Sequence, residues 1–530
     1  MGGVKVVVHR LIAGSIVAIA SLAAPGPSWA AASEANEEVF REALVKRLTF
    51  IFKDDKLEKT QLGVEVFSLS RQETLFSLNS GVPLSPASAA KLLTSFVALK
   101  RLGPDFTFKT EVYADGPIVN GVLKGNLYLK GGGDPSLVTE RMFLLVNDLA
   151  RNSLRQVTGT IFVDDSTFDE VQIDPNRLKT DTDRAYNAPV GGLSFNYNTT
   201  TAYFRPSDVV GERPHVFIEP DTGYMEVSNK AKTGRRGTGY NLTASRIKGT
   251  QGDSLLVKGS MPLGMSEQKS HFNINEPAFY AGQALRYMLA NRGIRVSGGD
   301  IKRQNVPVTA RKLATLESLP LREIVTLMNK FSSNFIADAL VKALGREVRG
   351  APGTTAKGLE VIREEATKVG VNTAGFHFVS GSGLTRDNRT SASQFIALMN
   401  AAYLDFDVLP ELLASLPIAG KDGTLRNRMK GTSAYGRLRG KTGTIDGVSA
   451  LVGIVQSKGG ELLAFAVIMN DKTKDPGSMK PWQNYFGQAL ADFNRKTPLS
   501  EKPLPLPDVI QDSGEEKDNA PAGLNMGGRR

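Results

Sequence analysis

Near the C-terminal end of the chain, Gly436–Gly443, Ser449–Gln456 and Leu462–Asn470 read as three consecutive strands, and Lys458-Gly459-Gly460 marks the hairpin turn between the last two. A second strand pair stands near the other end. Leu62–Ser70 alternates in a strand-like way, Glu73–Leu78 follows, and Arg71-Gln72 lies between them as a turn. Helices and shorter strands separate these two groups. Ser85-Pro86 opens one helix, with serine as N-cap and proline at the first helical position. Leu92, Leu93, Phe96, Val97 and Leu99 form its apolar stripe, and Gly103-Pro104 ends it. Pro277–Asn291, Leu321–Leu344, Ser393–Tyr403 and Trp482–Arg495 read as further helices. Short strands fill Phe106–Asp164 around a helix at Arg141–Arg151, and recur between Tyr197 and Gly259. The chain ends are therefore expected to build one antiparallel sheet covered by helices.

Of 530 residues, 41% are hydrophobic and 22% charged, which is globular material. Cysteine is absent, which excludes disulfides, a thiolate nucleophile and Cys-ligated metal sites. The four histidines (His9, His215, His271, His377) leave little for a His-rich metal site. The excess of 65 basic over 54 acidic residues, net +11, favours anionic partners such as nucleic acid, cell wall or anionic lipid. Met1–Ala32 reads as a secretory signal: a positive start, the uncharged run Leu11–Ala24, a Pro25-Gly26-Pro27 break and small residues ahead of cleavage near Ala30, with Ala32 as the alternative. The apolar run is shorter than the roughly 20 residues that span a bilayer. No later stretch reads as a transmembrane span, so the mature chain is expected to be exported and soluble. The Pro-, Gly- and acid-rich segment 497–530 reads as a disordered tail.

Three short patterns occur in a telling order: Ser88-Ala89-Ala90-Lys91 (SxxK), Ser332-Ser333-Asn334 (SxN) and Lys441-Thr442-Gly443 (KTG). Helical positions i and i+3 share a face, so Lys91 can touch the Ser88 hydroxyl. A serine alcohol needs an adjacent base, and lysine serves only if burial or another cation depresses its pKa. Lys441 is a candidate for that second cation. Ser332 is a candidate relay of a proton to a leaving amine, and Asn334 a holder of Lys91 or of a substrate amide. On a strand, Lys441 and Gly443 face one side and Thr442 and Thr444 the other, so serving one cleft requires an edge strand. Gly443 is expected to let substrate approach the backbone. The Thr444 and Ser88 N–H groups are candidates for an oxyanion hole.

Singly, each pattern is weak. SxxK recurs at Ser245–Lys248 and Ser266–Lys269, SxN at Ser77–Asn79 and Ser194–Asn196, and KTG at Lys232-Thr233-Gly234. Context separates the copies. Only Ser88 has an amphipathic helix behind it, only Lys441 leads into a hydrophobic strand pair, and Lys232 sits in the polar segment Ser228–Gly239, read as a loop.

With these contexts the chain resembles the penicillin-recognising serine enzymes. The closer resemblance is to the low-molecular-mass D-alanyl-D-alanine carboxypeptidase/endopeptidase family (class C type) with a large insertion after the nucleophile. It is carried by Pro86–Leu93, Gly131–Leu137, Met328–Asn334, Ser380–Arg386, Leu416–Leu425 and Gly440–Thr444, spread over about residues 40 to 495. Ser333 and Ser380 stand where that family often has aspartate. The resemblance implies an α+β fold: a β-lactamase/transpeptidase-like domain, antiparallel sheet flanked by helices, with an inserted mainly-β domain. Ser88 and Ser332 lie 244 residues apart, an excess that is domain-sized. The expected organisation is a signal at 1–30, the catalytic domain at 31–103 and 307–496, an insertion at 104–306 with a nested subdomain near 195–269, and the tail at 497–530.

The implied activity is cleavage of D-alanyl-D-alanine-type bonds in peptidoglycan peptides, in the periplasm, through an acyl-enzyme on Ser88. Lys91 is the implied base, and Thr442 and Thr444 with Lys441 hold the substrate carboxylate. β-Lactams would acylate Ser88 as substrate mimics. No metal, organic cofactor or nucleic acid is implied. A β-lactamase-like hydrolase and a non-catalytic peptidoglycan-binding scaffold stand as alternatives, and a Ser–His–Asp hydrolase as a weaker one. Asp134 and Asp422 are expected to be structural carboxylates.

Overall fold

A computed structural model describes residues 29–178, 182–371 and 375–495 of the chain, with side chains from residue 38 onward. The expected signal, up to Ser28, and the expected tail lie outside the described residues.

The two chain ends meet in one five-stranded sheet. Its order is Glu73–Leu78, Gln61–Ser68, Leu462–Asn470, Val448–Gln456, Leu438–Ile445, and every neighbouring pair is antiparallel. Side chains alternate across each strand. Ala464, Ala466 and Ile468 face one core, shared with helices Lys91–Leu102, Leu321–Phe331, Asn334–Arg349 and Ala392–Tyr403. Leu463, Phe465, Val467 and Met469 face another, covered by helices Trp29–Phe52 and Lys480–Asp492. Burial on both faces explains why the central strand is apolar without interruption from Leu462 to Met469.

The segment between the sheet's two halves forms its own core. A second five-stranded sheet orders Lys302–Arg303, Ile161–Asp164, Leu127–Lys130, Lys109–Ala114 and Arg311–Glu317, and helices Thr139–Arg151 and Pro277–Asn291 contribute to the same core. Arg311–Glu317, which follows the boundary expected at residue 306, pairs antiparallel with Lys109–Ala114. The nested part comprises three small sheets between Thr199 and Asn273, a few residues later than expected, and it shares the insertion's hydrophobic core.

Three local expectations are corrected. Leu321–Leu344 is two helices, not one. Ser332 adopts left-handed backbone (φ 56) and ends the first, and Ser333 caps the second by accepting from the Ile336 N–H. Ser85 is not a helix cap. Asn470 clasps its main chain at both the N–H and the carbonyl, and its hydroxyl is buried without a partner. Lys232–Gly234 is a short strand paired with Ser260–Pro262, where the Thr233 hydroxyl accepts from the Ser207 N–H. Helices at Thr355–Lys368 and Leu409–Ser415 have no counterpart in the sequence reading.

Candidate active site

Ser88 lies in a 3-10 turn, Ala87–Ala90, that runs directly into the Lys91–Leu102 helix. Ala87, just before it, is held at φ 46, a backbone region a residue with a Cβ adopts at a cost of about 1–2 kcal/mol. The turn is pressed against the strand Leu438–Ile445, the outermost of the main sheet. The contact falls at Gly443, where a Cβ would stand 2.2 Å from the Pro86 carbonyl oxygen and 3.1 Å from the Ala89 nitrogen. The glycine therefore admits the nucleophile's own turn, a packing role that the sequence reading did not foresee.

Lys91 is fully buried, and its Nζ has three oxygen partners. It lies 2.9 Å from Ser88 Oγ, 2.8 Å from Asn334 Oδ1 and 2.5 Å from the Ser382 carbonyl. Burial holds its pKa well below the ordinary lysine range, and the nearby Lys441 cation adds to the effect. Lys441 is also fully buried, and its Nζ donates to Ser332 Oγ at 2.8 Å and to the Thr442 carbonyl at 2.9 Å. The Thr442 hydroxyl donates to Thr424 Oγ1 at 2.8 Å, and Thr444 is half-buried beside it. Thus Ser88, Lys91 and Asn334 form one hydrogen-bonded group, and Ser332, Lys441 and Thr442 a second. Gly443 joins the two through its contact with the Ser88 turn.

The break at Ser332 makes this possible. The left-handed residue reverses the chain, so Ser332 meets Lys441 while Asn334, in the first turn of the next helix, meets Lys91. Asn329 anchors the preceding turn, donating to Ser95 and Ser415 hydroxyls at 2.9 Å each. Lys330 bonds the Leu416 carbonyl and pairs with Asp422, both at 2.7 Å, fixing the loop that carries Thr424. Asp422 and Asp134 both serve loops. Asp134 accepts from the Ser136 N–H and hydroxyl.

Sequence reasoning missed several participants. The Ser382 carbonyl, partner of Lys91, belongs to the Ser380-Gly381-Ser382-Gly383 run; the side chain of Asn388 holds that run, and the Thr94 hydroxyl bonds its Gly381 carbonyl. Tyr186 offers its carbonyl to Asn334 Nδ2 at 3.2 Å. Arg177 forms a buried ion pair with Asp338. The decoy motifs stand in other settings: Ser245 and Lys232 lie in strands of the nested sheets. His215 stacks on Phe217, His271 bonds Thr201, and His377 bridges to Arg389 through its main chain.

A sequence profile of the D-Ala-D-Ala carboxypeptidase 3 (S13) family matches residues 44–485. The chain belongs to this family. As an S13 member it is a serine-type D-alanyl-D-alanine peptidase. It is 36% identical over 465 residues to a D-alanyl-D-alanine carboxypeptidase of Actinomadura sp. (strain R39), covering 85% of this chain and 84% of the relative. The fold of this S13 chain is similar to that of penicillin binding protein 4 (DacB) from Haemophilus influenzae, with a TM-score of 0.73 at 24% identity, over 84% of this chain and 98% of the other. A second structure of that protein, complexed with a β-lactam, matches with a TM-score of 0.67 at 22% identity, over 85% and 99% of the two chains. The α+β architecture with an inserted domain is thus the fold of this S13 chain.

Proposed function

We propose that this S13 enzyme is a penicillin-sensitive D-alanyl-D-alanine carboxypeptidase and endopeptidase acting on peptidoglycan peptides outside the cytoplasmic membrane, with Ser88 as nucleophile and Lys91 as its base. The observation that carries the assignment is the 2.9 Å contact between Lys91 Nζ and Ser88 Oγ, made by a lysine whose pKa burial holds well below the ordinary lysine range. Ser88 Oγ attacks the carbonyl carbon of the penultimate D-alanine and its proton passes to Lys91. The resulting anion develops at the front of a helix, where the dipole favours negative charge. Collapse of the tetrahedral adduct breaks the C–N bond. The proton returns through the Ser332 hydroxyl to the leaving amine, and Ser88 is left as an ester that water hydrolyses. Lys441, Thr442 and Thr444 hold the substrate's terminal carboxylate, and the N–H groups of Ser88 and Thr444 receive the oxyanion. A β-lactam follows the same path, its ring amide standing for the peptide bond.

Export is the reading of the N-terminal segment, and the net charge of +11 suits an anionic polymer as substrate. Among the described residues, no helix is long and apolar enough to cross a membrane. The test is covalent labelling with fluorescent penicillin and release of D-alanine from a pentapeptide. Wild type is expected to show both and Ser88→Ala neither. Stoichiometric labelling of Ser88→Ala would remove the nucleophile from this role.

A further inference from the structure

The lysine–asparagine contact depends on which way the Asn334 amide faces. Its Oδ1 accepts from Lys91, and its Nδ2 donates to the Tyr186 carbonyl at 3.2 Å. Turned over, the amide would set an NH2 group against an amine. Tyr186 belongs to the short turn Ala185–Asn187 in the insertion. Arg177, also in the insertion, grips that turn by donating to Asn187 Oδ1 at 3.0 Å and to the Ala188 carbonyl at 3.1 Å. Its other terminal nitrogen pairs with Asp338, and both side chains are buried. Asp338 sits four residues after Asn334, on the same face of the same helix. One buried guanidinium therefore ties the helix that bears Asn334 to the turn that orients it.

We propose that Arg177 is a positioning residue contributed by the insertion, acting through Asp338 and the Ala185–Asn187 turn to orient the Asn334 amide and hold Lys91 as the base. This rests on the reading of Lys91 as the base of acylation. The fork geometry matters, because the planar guanidinium holds the turn on one terminal nitrogen and Asp338 on the other at a fixed spacing, which a single ammonium nitrogen on a flexible stem does not reproduce. Charge matters as well. The charged groups around Lys91 are Lys441 from the outer strand, Asp338 from the Asn334 helix and Arg177 from the insertion, with Asp174 beside the last two. Asp338 favours a protonated lysine, and Arg177 opposes it. Without Arg177, an unpaired buried carboxylate remains near Lys91 and keeps a proton on it.

The experiment is the pH dependence of the acylation rate with fluorescent penicillin. In wild type the rate rises as Lys91 loses its proton. In Arg177→Met the midpoint is expected to move to higher pH by on the order of one unit, with the rate at pH values below both midpoints falling about tenfold. The double variant Arg177→Met/Asp338→Asn removes both charges and is expected to return the midpoint close to wild type. Arg177→Lys keeps the charge without the fork, so its midpoint stays near wild type while its plateau rate drops. A cooperatively melting Arg177→Met with an unmoved midpoint would overturn the proposal. If that variant does not fold, a wild-type plateau in Arg177→Lys overturns it equally. Wild type that is never acylated would instead undo the underlying reading of Ser88 and Lys91.

Discussion

Asp134 shows what a single buried carboxylate does to this protein. One of its oxygens accepts two bonds from Ser136, and the other is buried with no partner. Burial lifts its pKa from 3.8 to about 6. Between those values the folded chain holds a proton that the unfolded chain has released, so its contribution to stability falls as pH rises through this window. Relative to wild type, Asp134→Asn should gain about 2–3 kcal/mol on going from pH 4 to pH 7.5. Paired thermal melts at the two pH values check this. At the same scale, Ser88, Lys91, Ser332, Asn334 and Lys441 are legible in the sequence because their chemistry resides in side-chain type and short spacing. The Ser382 carbonyl is not, because every residue has one. Arg177 and Asp338 are not either, because their pairing spans 161 residues and no local pattern announces it.

The two elements that make the site, the Ala87–Ala90 turn and the Leu438–Ile445 strand, meet without a side chain between them at Gly443. Gly443→Ala is expected to push the turn off the strand and to lower the rate of penicillin acylation at least tenfold, with the far-ultraviolet circular dichroism unchanged. A rate within twofold of wild type would show that the turn has room to yield. Continuous apolar runs of strand length and the turn residues between them made the C-terminal strands readable, and these recur within one residue or two of their expected ends. The helix break at Ser332 was hidden because the apolar stripe continues through it, from Met328 and Phe331 to Phe335 and Ala339. Ser333 and Asn334, residues that favour helix starts, were the local signal for it.

At the scale of the whole molecule, the cationic surplus gives the proposed contact with an insoluble anionic polymer a testable salt dependence. Binding of Ser88→Ala to purified peptidoglycan should weaken steeply between about 0.05 and 0.5 M salt, since surface charges are screened within a few ångströms at the higher value. Pelleting assays at graded salt measure it, and salt-independent pelleting would count against an electrostatic contact. The insertion, for its part, is tied into the catalytic half by Arg177, by Tyr186 and by Leu178, which packs with Ala87, Ile445 and Val448.

The strand Gln61–Ser68 takes its central partner from Leu462–Asn470, nearly 400 residues later. During biosynthesis the nucleophile, its base and most of the helices emerge long before the strand that completes their scaffold. A polypeptide cut short before Leu462 carries Ser88, Lys91, Ser332, Asn334 and Lys441, yet lacks the slab on which they are set. The sheet that sets these residues against one another is thus complete only when its central strand, nearly the last part of the described chain, takes its place.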